Sequence, residues 1–497
     1  MKRNSFLRPF GLGISFLLLA LVGNFHAYMA EGTSDEETPV IMTDMEPPHP
    51  EAGDLPWTPP RYEDQQGALG YEGGTFVVPV KMLGRVSFWI DIYSKYSTDQ
   101  GLIHDSQYVN LVYEEVDFSD IMKQEDLTLH QKTRARKKRV DEAKKAIRNR
   151  LHQLQKLKSS EGLQGEDLRY WQLFSTIDEK NKFREAALEG RLRFQLGQKD
   201  RFEQGIHYSG RYLAEMEEIF RQEKLPIELT RMPFVESSFN LKARSRVGAS
   251  GIWQFMRSTG RQYLKINSMV DERNEPLMAT RAAARLLRSN YNVLESWPLA
   301  ITAYNHGPTG VKRLVRKFKT SDISELIEIR KGRFGFASAN FYASFLAALE
   351  VEKKAKTFFS QPIWMRPLKS ELFQLDKAIL SQDLVDFFNG KKETAQEFNP
   401  HLHSRFWSGR GRIPSGTRIR ILPGTRESLV AKLKELKRQP SGQQASSAMQ
   451  SYRVKRGDTL SDIARQFGVT VQDILNHNDI VHPRFLRAGE KILIPEP

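Results

Sequence analysis

The sequence predicts a mainly α-helical protein that ends in a small strand–helix–helix–strand (βααβ) module. Three observations carry this. Residues 202 to 349 run as a succession of helix signals punctuated by Gly, Pro and Asn, with almost no period-two alternation. Between Lys132 and Lys158, Val140, Ala143, Ile147, Leu151, Leu154 and Leu157 recur three and four apart, the spacing of one helix face. From Tyr452 onward, short apolar strands bracket two capped helices. A chain of 497 residues, at roughly 100–200 residues per domain, divides into two to four domains.

Taken in order, the N-terminus reads as an export signal. Lys2, Arg3 and Arg8 precede a 13-residue uncharged run, Phe10 to Val22, which is shorter than the roughly 20 residues a bilayer span needs. Cleavage after Ala27 or Ala30 leaves bulky Phe25 or Tyr28 three residues before the cut; an uncleaved segment would be a short membrane tether. Residues 31 to 54 hold eight Asp/Glu, no Lys/Arg and four prolines, a self-repelling spacer. Thr75 to Val80 reads as extended, and Val86 to Tyr93 fits helix or strand. Lys132 to Lys158 carries twelve Lys/Arg against two acids; an amphipathic helix with a solvated basic face is the expected reading, an arm for anionic polymer the sharper one.

Pro226 opens a helix through Ser238, since its fixed φ suits a first helical turn, and Pro233 is expected to kink it. Residues 439 to 451 are a low-complexity linker. In the last module Tyr452–Val454 is a strand, Gly457-Asp458 a turn, Thr459 the N-cap of Leu460–Phe467, Thr470 the opening of Val471–Asn476, and Lys491–Pro495 the closing strand. A faint earlier copy exists: Leu380 to Phe388 parallels Leu460 to Phe467, and Gly416 to Pro423 parallels Gly489 to Pro495.

Composition narrows function. There is no cysteine, which excludes disulfides, thiolate-held zinc, iron–sulfur clusters, a thiol nucleophile and a lipoprotein anchor. The formal charge of +15 favours a polyanionic partner: nucleic acid, anionic lipid or an acidic cell-wall polymer.

The chemistry concentrates between Glu236 and Tyr342. A kink one turn before Glu236 would turn its carboxyl into a cleft, and Met232, Phe234, Val235 and Phe239 supply apolar surroundings that raise a carboxyl pKa, as a general acid requires. From Ser237 to Val270 there is no Asp or Glu but six Lys/Arg. Ordinary glycosidases need two carboxylates; locally there is one, unless Asp271 or Glu272 folds back.

Two resemblances follow. The frame Tyr452-x-Val454-x-x-Gly457-Asp458-Thr459-Leu460-x-x-Ile463-Ala464 with Gly489-x-x-Ile492-x-Ile494-Pro495 resembles a LysM domain. It implies N-acetylglucosamine-chain binding by Gly457, Asp458, Thr459 and Leu460 on one lip and Asn478 to Val481, Ile480 among them, on the other; Gly457 and Thr459 also read as turn and cap residues. Glu236-Ser237, Ala243-x-Ser245-x-x-Gly248-Ala249-x-Gly251-Ile252-Trp253-Gln254, Ala303-Tyr304-Asn305-x-Gly307 and Phe341-Tyr342 resemble the lytic transglycosylase (SLT) family. That resemblance implies a goose-lysozyme-like helical catalytic domain, with Glu236 as acid then base in cleaving the β-1,4 bond between N-acetylmuramic acid and N-acetylglucosamine, forming 1,6-anhydro ends. It places Ser245, Gln254, Tyr304, Asn305 and Tyr342 around the substrate, and Trp253 where many members have Met. Ser237 is expected to be a helix-end hydrogen-bonder.

The organisation expected is a signal or anchor (1–30), an acidic linker (31–61), a helical N-terminal region (62–200), the catalytic domain (201–360), a degenerate LysM-like module (371–424), a linker (439–451) and a LysM domain (452–496). Peptidoglycan strands are the expected partner of a monomeric chain in the periplasm or cell envelope, with peripheral or N-terminal membrane association, no nucleic acid, no metal and no cofactor. The alternatives are a lysozyme-like hydrolase and a non-catalytic wall-binding scaffold.

Overall fold

The computed structural model describes residues 75–329, 334–360, 362–436, 450–455, 457–478, 486 and 489–494. The signal, the acidic linker, most of the 439–451 linker and Ile480 lie outside them. Of the chain's two units, Met1–Asp35 is wholly outside, and all that follows belongs to Glu36–Pro497.

The segment that fitted helix or strand is helix, Leu83–Ser94. It lies in the expected N-terminal region and packs into the same apolar core as the helices that follow residue 199. Val86, Phe88, Trp89, Ile92 and Tyr93 are buried in the same apolar cluster as the helix Phe336–Lys353. Arg85 Nη1 donates to Asn340 Oδ1 at 2.9 Å, and Trp89 Nε1 donates to the same oxygen at 3.4 Å. The expected extended segment at Thr75–Val80 gives way to a short 3-10 turn, Val80–Met82.

Residues 100 to 196 are not purely helical. They form a three-stranded antiparallel sheet in the order β2-β1-β3, from β1 (Gln100–Asp105), β2 (Val112–Asp117) and β3 (Leu192–Leu196). The sequence hides it for two reasons. Five successive β1 residues are buried, so no alternation shows; and β3 joins only after the long intervening helices. Arg191, just before β3, ion-pairs buried Asp105 of β1 at 2.8 Å. The basic stretch is the helix Leu129–Leu154, opened by a reciprocal capping box between Thr128 and Gln131. Val140, Ile147, Leu151 and Leu154 pack on the sheet side, while Arg134, Lys137, Lys138 and Lys145 are exposed. The amphipathic reading holds, except that Leu157 falls beyond the helix and is 44% exposed.

The main helical core gathers the helices Lys199–Ser209, Leu213–Gln222, Pro276–Leu294, Trp297–His306 and Phe336–Lys353. Phe202 stacks on Phe234 with ring centres 4.7 Å apart, and Phe220 stacks on Trp253 at 6.0 Å.

Residues 371–421 fold as their own small unit. β4 (Glu371–Gln374) pairs antiparallel with β5 (Arg418–Ile421), and the helices Ser381–Phe387 and Lys392–Phe398 lie between, followed by a short turn of helix Ser404–Trp407. Its core includes Phe373, Ile379, Leu384, Phe398, Ile419 and Ile421, and the helix Arg426–Glu435 extends it past the expected end at 424. The C-terminal module repeats the plan: β6 (Gln450–Arg453), helices Leu460–Gln466 and Val471–His477, and β7 (Lys491–Ile494) antiparallel to β6. β6 starts inside the expected linker. Among the described residues, no helix is long and apolar enough to cross a membrane.

Candidate active site

Pro233 does more than kink its helix. The chain runs as a 3-10 turn, Ile227–Arg231, and then starts a new α-helix, Met232–Ser237, with Pro233 in its first turn. A proline there forfeits no hydrogen bond, whereas continuing the preceding helix through it would strand the Leu229 carbonyl. Glu236 therefore sits on the last turn of a six-residue helix. The chain then reverses through Ser238 (φ 50°) and Phe239 (φ 55°), left-handed non-glycine backbone of the kind that persists where surroundings over-determine it.

Glu236 is partly exposed, yet burial by the surrounding protein pushes its carboxyl pKa up to about 8. Of the nearby rings, Tyr304 feels it directly. Burial first, and then the negative charge of Glu236, hold that phenol well above its ordinary value.

The loop 243–255 organises the site through consecutive carbonyls. The Gly251 carbonyl accepts from Gln254 Nε2 at 2.8 Å, the Ile252 carbonyl from Ser237 Oγ at 2.9 Å, and the Trp253 carbonyl from Tyr304 Oη at 2.9 Å. One short stretch of backbone thus fixes Gln254, the residue after Glu236, and Tyr304. Ser237 is the helix-end hydrogen-bonder expected of it, also reaching the Pro233 carbonyl at 3.3 Å. Gln254 itself has φ 46°.

The loop rests on Arg273. Its Nη1 donates to the Gly248 carbonyl at 2.8 Å and the Phe255 carbonyl at 2.9 Å. Gly251 (φ 76°) passes so close that a Cβ there would lie 1.9 Å from the Arg273 carbonyl oxygen. The chain's own packing thus requires the glycine. Ser245 Oγ accepts from the Ala249 N–H at 2.9 Å, which shapes the same loop.

The remaining candidates separate. Asn305 is exposed, and its Oδ1 accepts from Ser338 Oγ at 2.7 Å. Tyr342 is 1% exposed and stacks with Phe345 at 6.4 Å; burial raises its pKa. Its coupling is to the core, and Tyr304 is the tyrosine that senses Glu236. Trp253 is fully buried, with Nε1 donating to Thr280 Oγ1 at 3.0 Å, so its role is packing.

The acids that could have folded back are committed elsewhere. Asp271 is salt-bridged to Arg273 at 2.7 Å; burial raises its pKa, but the hydrogen bonds and charge of Arg273, with the charge of His403, together hold it below the usual carboxylate value. Glu272 pairs with Arg418 at 2.8 Å, and Glu275 with Arg420 at 2.6 Å. Beneath the Glu236 helix, buried Arg231 takes Glu217 at 2.5 Å and Glu352 at 3.3 Å. Among the described residues no group of His, Asp and Glu is arranged to hold a metal ion.

In the C-terminal module, Asp458 Oδ2 accepts from Tyr452 Oη and from the Lys455 N–H, both at 2.8 Å, and these bonds lower its pKa, the backbone one most. Thr459 caps its helix by accepting from the Asp462 N–H at 3.2 Å. Leu460 is 1% exposed in the core, and Gly457 turns with φ 95°. All four shape the first lip, and on the second Asn478 Nδ2 bonds the Ile474 carbonyl at 2.7 Å and the Leu493 carbonyl at 2.6 Å.

Comparison with known proteins agrees with this geometry. Residues 216–327 match the transglycosylase SLT domain, and residues 452–495 match the LysM domain. The chain thus carries a transglycosylase SLT domain and a C-terminal LysM domain, which support a peptidoglycan lytic transglycosylase. Among individual proteins, it is similar to membrane-bound lytic murein transglycosylase D of Escherichia coli (strain K12), 26% identical over 341 residues that cover 55% of this chain and 74% of the relative. Shorter matches are the N-acetylmuramoyl-L-alanine amidase XlyA of Bacillus subtilis (strain 168), 46% identical over 48 residues (10% of this chain, 16% of the relative), and the cortical fragment-lytic enzyme of the same organism, 51% identical over 47 residues (10% and 11%). The SLT match takes in Glu236, Ser245, Gln254, Tyr304 and Asn305 and ends before Tyr342.

Proposed function

We propose that the protein cleaves the β-1,4 bond between N-acetylmuramic acid and N-acetylglucosamine in peptidoglycan without water, leaving 1,6-anhydro-muramoyl ends, in the cell envelope. One observation carries the reading: burial pushes the Glu236 carboxyl up to about 8, which favours its acid form at neutral pH, while Asp271, Glu272 and Glu275 are each locked to an arginine. A hydrolase of the two-carboxylate type needs a second free carboxylate as base or nucleophile. A single carboxyl can instead give its proton to the glycosidic oxygen and then, as carboxylate, take the proton of the muramoyl C6 hydroxyl as that oxygen closes on C1. Bonds and protons balance: C1–O4 breaks, C1–O6 forms, and the C6 hydroxyl proton returns to Glu236.

The other residues follow from their positions. Tyr304, fixed to the Trp253 carbonyl, and Gln254, whose amide nitrogen is fixed to the Gly251 carbonyl, present polar groups beside Glu236. Ser245 and Asn305 line the cleft, and Tyr342 closes it from within the core. The LysM domain holds glycan chains through its two lips, from Gly457 to Leu460 and from Asn478 to Val481. The basic surplus of +15 suits an acidic wall polymer. The test is the mass of fragments released from purified sacculi. Fragments lighter by one water than the corresponding hydrolysis products are expected, and reducing-end muramic acid alone would sink the reading. Glu236→Gln should bind sacculi and release nothing.

A further inference from the structure

The 371–421 unit is a structural duplicate of the LysM domain, and one asparagine proves the register. Asn399, just after its second helix, donates from Nδ2 to the Ala395 and Arg420 carbonyls at 3.1 and 3.0 Å and accepts from the Arg420 N–H at 2.8 Å. Asn478, just after the second LysM helix, makes the same three bonds to Ile474 and Leu493 at 2.7, 2.6 and 2.6 Å. Strand pairing aligns Arg418 with Lys491 and Arg420 with Leu493. In the LysM domain those two outward positions are exposed. In the earlier copy Arg420 is 3% exposed, because this face is turned onto the catalytic domain.

The contact is specific. Arg418 forks onto Glu272 with Nε at 3.2 Å and Nη2 at 2.8 Å, Arg420 Nε reaches Glu275 at 2.6 Å, and its Nη1 reaches Ser370 at 2.8 Å. The loop after the second helix, counterpart of the second LysM lip, is taken up as well. The Asp271 N–H donates to the His401 carbonyl at 2.8 Å, the His403 N–H donates to the Met269 carbonyl at 3.0 Å, and Val270, which bridges to Leu402, is buried in this unit's own core. Where the LysM domain offers a lip to glycan, this copy holds residues 269–271 of its own chain.

The segment it holds is the one that holds the site. Glu272 and Glu275 flank Arg273 and Asn274. Arg273 carries the Gly248 and Phe255 carbonyls, and Asn274 Oδ1 accepts from Ser250 Oγ at 2.7 Å. The loop between them fixes Ser237 and Tyr304. We propose that the 371–421 unit is a LysM copy converted from glycan binding into a clamp on the catalytic loop, with Arg418 and Arg420 as positioning residues that act through Glu272 and Glu275. Its kinetic readout rests on the proposed function, but its structural readout does not.

The test uses the full chain with Arg418→Ala and, as the conservative partner, Arg418→Lys. Arg418→Ala should lower kcat about tenfold, the scale of a small misplacement of reacting groups, while retention on sacculi stays unchanged. Loosening the loop also admits water to Glu236, so the alkaline limb of the pH profile should move to lower pH. Amide exchange at 249–255 should quicken while the helix Pro276–Leu294 keeps its protection, and Arg418→Lys should recover part of each effect. Unchanged kcat and exchange, or exchange raised uniformly through the catalytic core, would overturn the clamp. If Arg418→Ala does not fold, exchange at 249–255 in Arg418→Lys decides. A wild-type chain that releases nothing from sacculi counts against the proposed function, and exchange then judges the clamp alone.

Discussion

Glu236 owes its chemistry to position rather than to a partner. Burial alone lifts its carboxyl to about 8, and this has two measurable consequences. The acid form is the working one, so kcat/KM should fall above an apparent pKa near 8; a fall centred near 4.5, the ordinary value, would mean that the group is solvated. The second is stability. A carboxyl whose folded pKa lies above its unfolded value binds more protons when folded, so the folded state loses stability as pH rises from about 4.5 through about 8. Glu236→Gln removes that loss. Its melting temperature should exceed the wild type by several degrees at pH near 9, about 2–4 °C per kcal/mol for a domain of this size, and the gain should vanish near pH 4; an equal gain at both pH values would refute the burial argument. Tyr304→Phe should leave sacculus binding in place and lower kcat, because it frees the Trp253 carbonyl and removes the hydroxyl that feels the charge of Glu236; an unchanged kcat would make Tyr304 only a packed ring. The apolar setting that raises the Glu236 pKa was legible from its neighbours in the sequence. The commitment of Asp271, Glu272 and Glu275 to arginines was not, since two of the three partners stand near 420, on a strand far along the chain.

At the scale of elements, local signals read well and distant pairings did not. Thr459 and Thr470 cap the helices that follow them, as their sequence positions suggest, because a cap is chemistry over four residues. The β2-β1-β3 sheet escaped notice because β1 is buried along nearly its whole length, and burial on both faces erases alternation. The packing of the helix Leu83–Ser94 on the helix Phe336–Lys353 is not legible in the sequence, because Asn340, to which Arg85 and Trp89 both donate, is more than 250 residues away. Pro233 was read as a kink but starts a new helix, since a proline is cheapest in a first turn. The loop 243–255 is the most constrained element. Gly251→Ala should destabilise the protein by about 3 kcal/mol or more, because the added Cβ meets the Arg273 carbonyl in a left-handed conformation. A loss under about 0.5 kcal/mol in chemical denaturation, the scale of ordinary surface substitutions, would show that the loop adjusts freely.

At the scale of the whole molecule, we propose that the helical SLT core cleaves the bond, the 371–421 unit clamps its loop and the C-terminal LysM domain retains the wall. The +15 that first pointed to any polyanion is a surplus beyond internal pairing: Arg231, Arg273 and Arg420 are each matched by buried carboxylates and add nothing to it. Deleting residues 451–497 should therefore weaken sacculus binding much more than it slows cleavage of soluble glycan chains; equal losses in both would contradict a separable binding domain. The central claim is that one carboxyl cleaves the bond with the substrate's own hydroxyl in place of water. Digesting sacculi in water enriched in the heavy oxygen isotope tests it most directly. Released muramoyl ends free of the label are the predicted result, and one labelled oxygen per cleaved bond would contradict the account.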